Sequence, residues 1–253
     1  MADAWRYAGV LKPAVLSRSA SAVYFAREFL SCVGEVLDDV AHPLRRTVVR
    51  KYVFADGAIY EGEYKGVKKE GRGKYVFANG DIYEGEWKAD KMEGMGTFRT
   101  ADGVGYEGEF KAGNMEGRGI FRYADGAVYE GEWKADQREG HGKLVAGDGA
   151  TYEGEWKADQ ADGYGIILFA DGAIYEGECK ADQADGYGIN LFANGDIYEG
   201  EWKADQMEGR GMAVFANGDI YEGEWKADKI ESGFKLDGGV WNVGTEDTEN
   251  KDA

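Results

Sequence analysis

Apolar and polar residues alternate with period two along Ile82-Tyr83-Glu84-Gly85-Glu86-Trp87-Lys88. In an extended chain that spacing puts Tyr83, Gly85 and Trp87 on one face and Glu84, Glu86 and Lys88 on the other, which predicts a β-strand. The polar stretch from Ala89 to Glu93 predicts a turn, and a second strand follows from Gly94 to about Phe98. The chain then meets Ala101-Asp102-Gly103. An Asp-Gly pair is a strong hairpin signal, because both central positions of a type I′ turn need positive φ, so a tight turn of that type is predicted here.

The same unit recurs. Tyr-Glu-Gly-Glu begins at Tyr60, Tyr83, Tyr106, Tyr129, Tyr152, Tyr175, Tyr198 and Tyr221, always 23 residues apart. An Asp-Gly or Asn-Gly pair holds the same place in every copy, from Asp56-Gly57 to Asn217-Gly218. Four glycine columns, seen as Gly57, Gly62, Gly71 and Gly73 around the first copy, account for most of the 40 glycines in a chain with 2 prolines. The glycine excess is therefore a repeat rather than a linker. The expected fold is an all-β solenoid: a meandering antiparallel sheet, one layer thick, of stacked hairpins without a central globular core. Its apolar contact should come from ring columns. The tyrosine column is unbroken, and the column four residues later holds Tyr64, Trp87, Phe110, Trp133, Trp156, Cys179, Trp202 and Trp225. Same-face aromatics on neighbouring strands stabilise a sheet by roughly 0.2–1 kcal/mol per pair. The intervening glycines leave room for the rings to lie down. Cys179 is expected to mark a packing gap rather than a reactive thiol.

Three segments follow from the pattern. Residues 51–244 form the array, ending in a capping strand where Ser232 replaces a glycine and Trp241 stands near a shortened tyrosine position. Residues 245–253 are acidic and polar and read as a disordered tail. Residues 1–50 lack the repeat and are net basic. Within them Ser19 to Val40 reads as an amphipathic helix: Arg27 lies on the polar stripe, and Phe25, Phe29, Leu30, Val33 and Leu37 belong to the apolar face. Four roles compete for this helix: a cap on the first hairpin, docking along an array, a membrane-surface anchor, and organelle targeting.

Tyr-Glu-Gly-Glu-Trp-Lys followed by Gly-x-Gly, in eight consecutive copies from about residue 52 to 240, resembles the MORN (membrane occupation and recognition nexus) repeat. The resemblance implies an elongated, twisted single-layer sheet with an aromatic-lined groove. It also implies a scaffold, membrane tether or protein-docking module beside cytoskeleton, cilia or membranes, and in some members a homodimer.

Charge narrows the partners. Asp and Glu number 48 against 30 Lys and Arg, a net charge of −18. Nucleic acid rewards a basic surface and is excluded as a partner. Anionic lipid repels such an array, so direct lipid contact is expected only through the basic N-terminal helix. Two cysteines give no disulfide framework, which suits an intracellular, reducing site of action: cytoplasmic, cytoskeletal, ciliary or membrane-peripheral. No run of apolar residues is long enough to predict a transmembrane helix.

No catalytic constellation, metal motif or cofactor fingerprint emerges. His141 lies in a column held elsewhere by Arg72, Met95, Arg118, Tyr164, Tyr187 and Arg210, and reads as a surface residue. The recurring Gly-x-Gly lacks the third glycine and the helix that a dinucleotide site needs. Asp159-Gln160-Ala161-Asp162-Gly163 fails the EF-hand spacing. The repeated glutamate pair, as in Glu61 and Glu63, reads as a solvated face. The chain is expected to be a non-enzymatic scaffold without cofactor or metal. Its partner is expected to be a protein with a basic or amphipathic helix, lying along an open aromatic groove. That groove is formed by Tyr83, Trp87, Tyr106, Phe110, Tyr129, Trp133, Tyr152, Trp156, Tyr198, Trp202, Tyr221 and Trp225. The alternative is a peripheral membrane tether held by the N-terminal helix.

Overall fold

The computed structural model describes residues 47–237 and 240–242, with side chains up to Leu236. The N-terminal helix, with Arg27, Phe25, Phe29, Leu30, Val33 and Leu37, and the tail at 245–253 lie outside the described residues. The described chain is entirely strand and turn, and falls into two compact units divided after Gly147.

The first unit is a meander of β1 (Val48–Val53), β2 (Ile59–Lys65), β3 (Lys68–Val76), β4 (Ile82–Lys88), β5 (Lys91–Arg99), β6 (Gly105–Lys111), β7 (Asn114–Arg122), β8 (Val128–Lys134) and β9 (Gln137–Val145). Each strand pairs antiparallel with the one before it. The second unit repeats the plan with β10 (Thr151–Lys157), β11 (Gln160–Leu168), β12 (Ile174–Lys180), β13 (Gln183–Leu191), β14 (Ile197–Lys203), β15 (Gln206–Val214), β16 (Ile220–Lys226), β17 (Lys229–Asp237) and β18 (Val240–Asn242). Each unit is thus a one-layer antiparallel sheet of stacked hairpins, the architecture predicted from the 23-residue period.

The type I′ geometry expected at the Asp-Gly and Asn-Gly sites is found instead at the other turn of the repeat. The polar turn is not the five residues from Ala89 to Glu93: it is the pair Ala89-Asp90, with φ of 49° and 69°, and Lys88 pairs directly with Lys91. Positive φ at both central positions is the type I′ geometry, whose twist matches that of the flanking strands. At the Asn-Gly and Asp-Gly sites only the glycine takes positive φ, for example Gly80 at 91°. There Gly80 N–H donates to Phe77 O at 2.9 Å and Phe77 N–H to Asp81 O at 2.8 Å. This is a three-residue loop closed by a glycine bulge, not a type I′ turn. The residue before the glycine is Asp or Asn for another reason. Its side chain accepts the N–H two positions on, as Asp56 Oδ1 does from Ala58 at 2.9 Å and Asn79 Oδ1 from Asp81 at 3.1 Å.

Within each unit the turn aspartates tie one hairpin to the hairpin before it. Asp90 Oδ1 accepts the N–H of Lys69 at 2.8 Å, Asp136 that of Met115 at 2.7 Å, and Asp205 that of Ala184 at 2.9 Å. The spacing is 21 residues in each case. A second tie runs from the N–H of Ala89 to Glu70 Oε2 at 3.1 Å, and recurs at Ala112, Ala135 and Ala227. Each of these bonds satisfies a backbone donor at a tight turn.

Candidate docking surfaces of the sheet

The two faces of each meander differ in chemistry, and both follow from the alternation in the first strand of the hairpin. On the ring face, Tyr83 packs edge-on to Trp87, with ring centroids 5.1 Å apart and planes at 88°; it meets Phe110 of the next hairpin at 5.1 Å and 84°. The zigzag continues through Tyr106–Phe110, Tyr106–Trp133 and Tyr129–Trp133 in the first unit. In the second it runs through Tyr152–Trp156, then Tyr175–Trp202, Tyr198–Trp202, Tyr198–Trp225 and Tyr221–Trp225. Edge-to-face pairs of this kind contribute about 0.5–1.5 kcal/mol each beyond the area they bury.

From Tyr60 to Tyr198, each column tyrosine lies down over the facing glycine pair of its own hairpin. Its hydroxyl donates to a backbone carbonyl three residues on: Tyr83 Oη to Glu86 O at 2.9 Å, Tyr152 Oη to Glu155 O at 2.8 Å. The indoles lie over the preceding hairpin and donate to its glycine carbonyl, as Trp87 Nε1 does to Gly73 O at 3.0 Å and Trp202 Nε1 to Gly188 O at 3.1 Å.

The structure therefore corrects the expected exposure of the groove residues. Tyr83, Tyr106, Tyr129 and Tyr198 are at most 1% exposed, and Trp87, Phe110, Trp133, Tyr152, Trp156, Trp202, Tyr221 and Trp225 at most 7%. They are the core. Rings that lie flat on glycine and against their neighbours along the column cover one another, so one sheet layer buries its own aromatic row. Burial raises the phenol pKa of Tyr60, Tyr83, Tyr106, Tyr152, Tyr175 and Tyr198 far above the ordinary tyrosine value, with nearby acids adding to the effect.

Cys179 interrupts the ring column between Tyr152 and Tyr175 and is 4% exposed. Burial, with the acids Asp205, Asp182 and Asp162, pushes its thiol up to about 12. The thiolate is the nucleophile, so Cys179 should be inert in the folded chain. Peptide mapping after iodoacetamide treatment at pH 8 should show Cys179 modified at least 100-fold more slowly in native than in urea-unfolded protein. Equal rates would remove it from the core.

Lys69 stands in the ring-face column that holds Met92, Met115, Arg138, Ala161, Ala184, Met207 and Ile230 in the other copies. Its ammonium lies 4.4 Å from the Tyr75 ring centre and 4.9 Å from that of Trp87, a cation–π contact that no spacing rule announced.

The opposite face carries the glutamates, and the two of each pair behave differently. The second member reaches across the hairpin to a backbone donor: Glu63 Oε1 accepts the N–H of Arg72 at 3.2 Å, and Glu155 that of Tyr164 at 3.3 Å. It is a structural acceptor beside a positive-φ glycine of the next strand, Gly71 for Glu63 and Gly163 for Glu155, not merely a solvated charge. The first member, Glu84 or Glu107 for example, is exposed. His141 is exposed in the column assigned to it and, through its N–H, bonds Glu132 at 3.4 Å. A shallow depression on this face, lined by Arg72, Lys74, Glu84, Met95 and Arg99 among others, is open to solvent and mixes both charges.

Comparison with known proteins bears on this architecture. The family model for the MORN repeat matches residues 60–82, 83–104, 106–128, 129–151, 152–174, 175–197, 198–220 and 221–231. A search of curated proteins gave no match. Among solved structures, the SAS-4 (dCPAP) TCP domain of Drosophila melanogaster, in complex with a proline-rich motif of Ana2 (dSTIL), is 14% identical; the alignment covers 76% of this chain and 96% of that one, with a TM-score of 0.39. The TCP10 domain of Danio rerio CPAP, in complex with a peptide of STIL, is 16% identical over 70% of this chain and 88% of that one, with a TM-score of 0.34. Scores this low carry nothing of those domains' partners to the present chain.

Proposed function

We propose, from the premise that this chain belongs to the MORN-repeat family, that it is a non-enzymatic scaffold whose glutamate face docks a basic protein partner. The carrying observation is the row of exposed first glutamates, Glu61, Glu84, Glu107 and Glu130 in one unit, Glu153, Glu176 and Glu222 in the other, set at multiples of the 23-residue period on strands whose registry is fixed by backbone pairing. Rows of fixed charge favour a complementary chain and suppress wrong partners. The buried rings supply the rigidity that holds the row. Their role is support, and partner contact falls on the side chains that stand out from the other face.

Such docking is sensitive to salt, because exposed charges are screened over about 8 Å at physiological ionic strength. The test is co-purification with the full chain, against a variant carrying Glu84→Lys, Glu107→Lys and Glu130→Lys. A protein retained at low salt, released at high salt and lost from the variant supports the reading. Failure of the full chain to retain any protein, or equal retention by the variant, overturns it.

A further inference from the structure

Two copies of the repeat carry a surface that the others lack. The segments Asp159-Gln160-Ala161-Asp162-Gly163-Tyr164-Gly165-Ile166 and Asp182-Gln183-Ala184-Asp185-Gly186-Tyr187-Gly188-Ile189 are identical. They form most of β11 and β13. On the glutamate face these strands present Tyr164, Ile166 and Leu168, and Tyr187, Ile189 and Leu191, each 38–51% exposed. The corresponding positions in the first unit hold Arg72, Lys74 and Val76, then Met95, Thr97 and Arg99, then Arg118, Ile120 and Arg122, then His141, Lys143 and Val145, so each triplet there carries at least one cationic or polar side chain. The fold thus works with cations at these places, and the exposed apolar groups serve no core.

Strand pairing arranges the side chains in rows across the sheet. Leu168 faces Ile174, Ile174 faces Leu191, and Leu191 faces Ile197, giving an unbroken apolar row over four strands. Beside it Ile166 faces Glu176, Glu176 faces Ile189, and Ile189 faces Glu199, so acid and aliphatic alternate. The tyrosines orient the acids: Tyr164 Oη donates to Glu176 Oε1 at 2.7 Å and Tyr187 Oη to Glu199 Oε1 at 2.9 Å. No Lys, Arg or His stands in these rows between Ile166 and Glu199.

We propose that this face of β11–β14 docks a basic amphipathic helix of a protein partner. The proposal rests on the scaffold reading above and gives it a place. An α-helix laid across the strands advances about 5.4 Å per turn, close to the strand spacing of about 4.8 Å. One apolar residue per turn therefore meets the row from Leu168 to Ile197. Glu176 and Glu199 lie two strands apart, roughly 10 Å, which matches cations seven residues apart on a helix. An apolar row edged by fixed acids selects Lys or Arg beside Leu or Ile, and repels an anionic membrane.

The test uses the full chain and a fluorescein-labelled synthetic 18-residue peptide with Leu at i, i+3, i+4 and i+7 spacing and Lys elsewhere. A scrambled peptide of the same composition is the control. Anisotropy at physiological salt should show binding of the ordered peptide only. Affinity should fall at least tenfold for Ile166→Ser with Ile189→Ser, and for Glu176→Gln with Glu199→Gln. It should be unchanged for Met95→Ser, an exposed residue of the same face in the first unit. Ile166, Ile189 and Glu176 are exposed and Glu199 is half-buried, so thermal unfolding should stay close to wild type; if one pair melts early, the other decides.

Equal binding to wild type and both paired variants overturns the placement while leaving the scaffold reading standing. So does absence of peptide binding when the full chain still retains a salt-sensitive protein. Equal binding of the scrambled peptide also overturns it, as mere charge attraction. Sedimentation with phosphatidylserine vesicles that the paired variants abolish would make the face a lipid surface. A shift of oligomeric state in the variants by sedimentation velocity would assign it to a second copy of the chain. Either result overturns the helix proposal.

Discussion

Gly200→Ala is expected to destabilise the second unit by about 2–6 kcal/mol, although alanine is the smallest possible addition. A Cβ at Gly200 would lie 2.5 Å from Gly211 Cα, 2.6 Å from Tyr198 Oη and 2.7 Å from Arg210 O. Two of those neighbours are backbone of the paired strand and cannot turn aside. The third is the hydroxyl that donates to Glu201 O at 3.1 Å. Overpacking costs about 1–3 kcal/mol, and a displaced buried hydroxyl about 1–3 kcal/mol more. Gly218→Ala is the comparison. Its φ is 88° and a Cβ there meets nothing within 4 Å, so only backbone strain of about 1–2 kcal/mol applies. Urea unfolding should rank Gly200→Ala well below Gly218→Ala. Hydrogen exchange should localise the loss to β14 and β15 and their neighbours, because each repeat contacts only those beside it. The reverse ranking would mean that the glycine pair is there for backbone freedom rather than for the ring that lies on it.

Alkaline pH should unfold the protein through its tyrosines. The buried phenols are held neutral, with pKa values raised by burial first and next by a neighbouring group, Glu86 for Tyr83, Glu109 for Tyr106 and Cys179 for Tyr152. Unfolded tyrosine ionises near 10. The sign follows: a group whose folded pKa is raised contributes its full stability below the unfolded value, and that contribution is lost as pH climbs from about 10 toward the folded value. The maximal slope is about 1.4 kcal/mol per pH unit for each such tyrosine. Several act together in each unit, enough to exhaust a stability of about 5–15 kcal/mol within one or two pH units. Ultraviolet titration should show exposed tyrosines ionising first, then a steep step that coincides with loss of near-ultraviolet circular dichroism. A single smooth ionisation near pH 10 with intact dichroism would place the columns in water.

Much of this fold was legible in the sequence because the period is fixed and the alternation is local. The strand faces around Tyr83, Gly85 and Trp87 followed from a spacing of two, and the tyrosine and tryptophan columns from a spacing of 23. Turn geometry was not legible from residue preference. Alanine avoids positive φ, yet Ala89 adopts 49° because the two-residue link between Lys88 and Lys91 requires it. Ring burial was misread for a related reason. Alternation tells which face a ring occupies, but not that glycine lets it lie down and cover its neighbour. The apolar rows of β11 and β13 were hidden in plain sight. Position by position, Tyr164 and Tyr187 belong to a column that also accepts Arg, Met and His, and only the pairing registers bring them beside Ile166, Ile189, Glu176 and Glu199.

The aspartate ties between hairpins set how this gene could have grown. Asp90, Asp136 and Asp205 each accept a bond from a residue 21 positions earlier, so a copy is complete only when its successor is present and in step. Duplication of a whole 23-residue block preserves every such bond. Insertion of a single residue inside a strand breaks one tie and turns the ring column outward from there on. Change in whole modules keeps the ties in step, and the spacing is unbroken across the eight copies. Lengthening or shortening it by one module is accordingly the route by which related chains would come to present their glutamate rows over different distances.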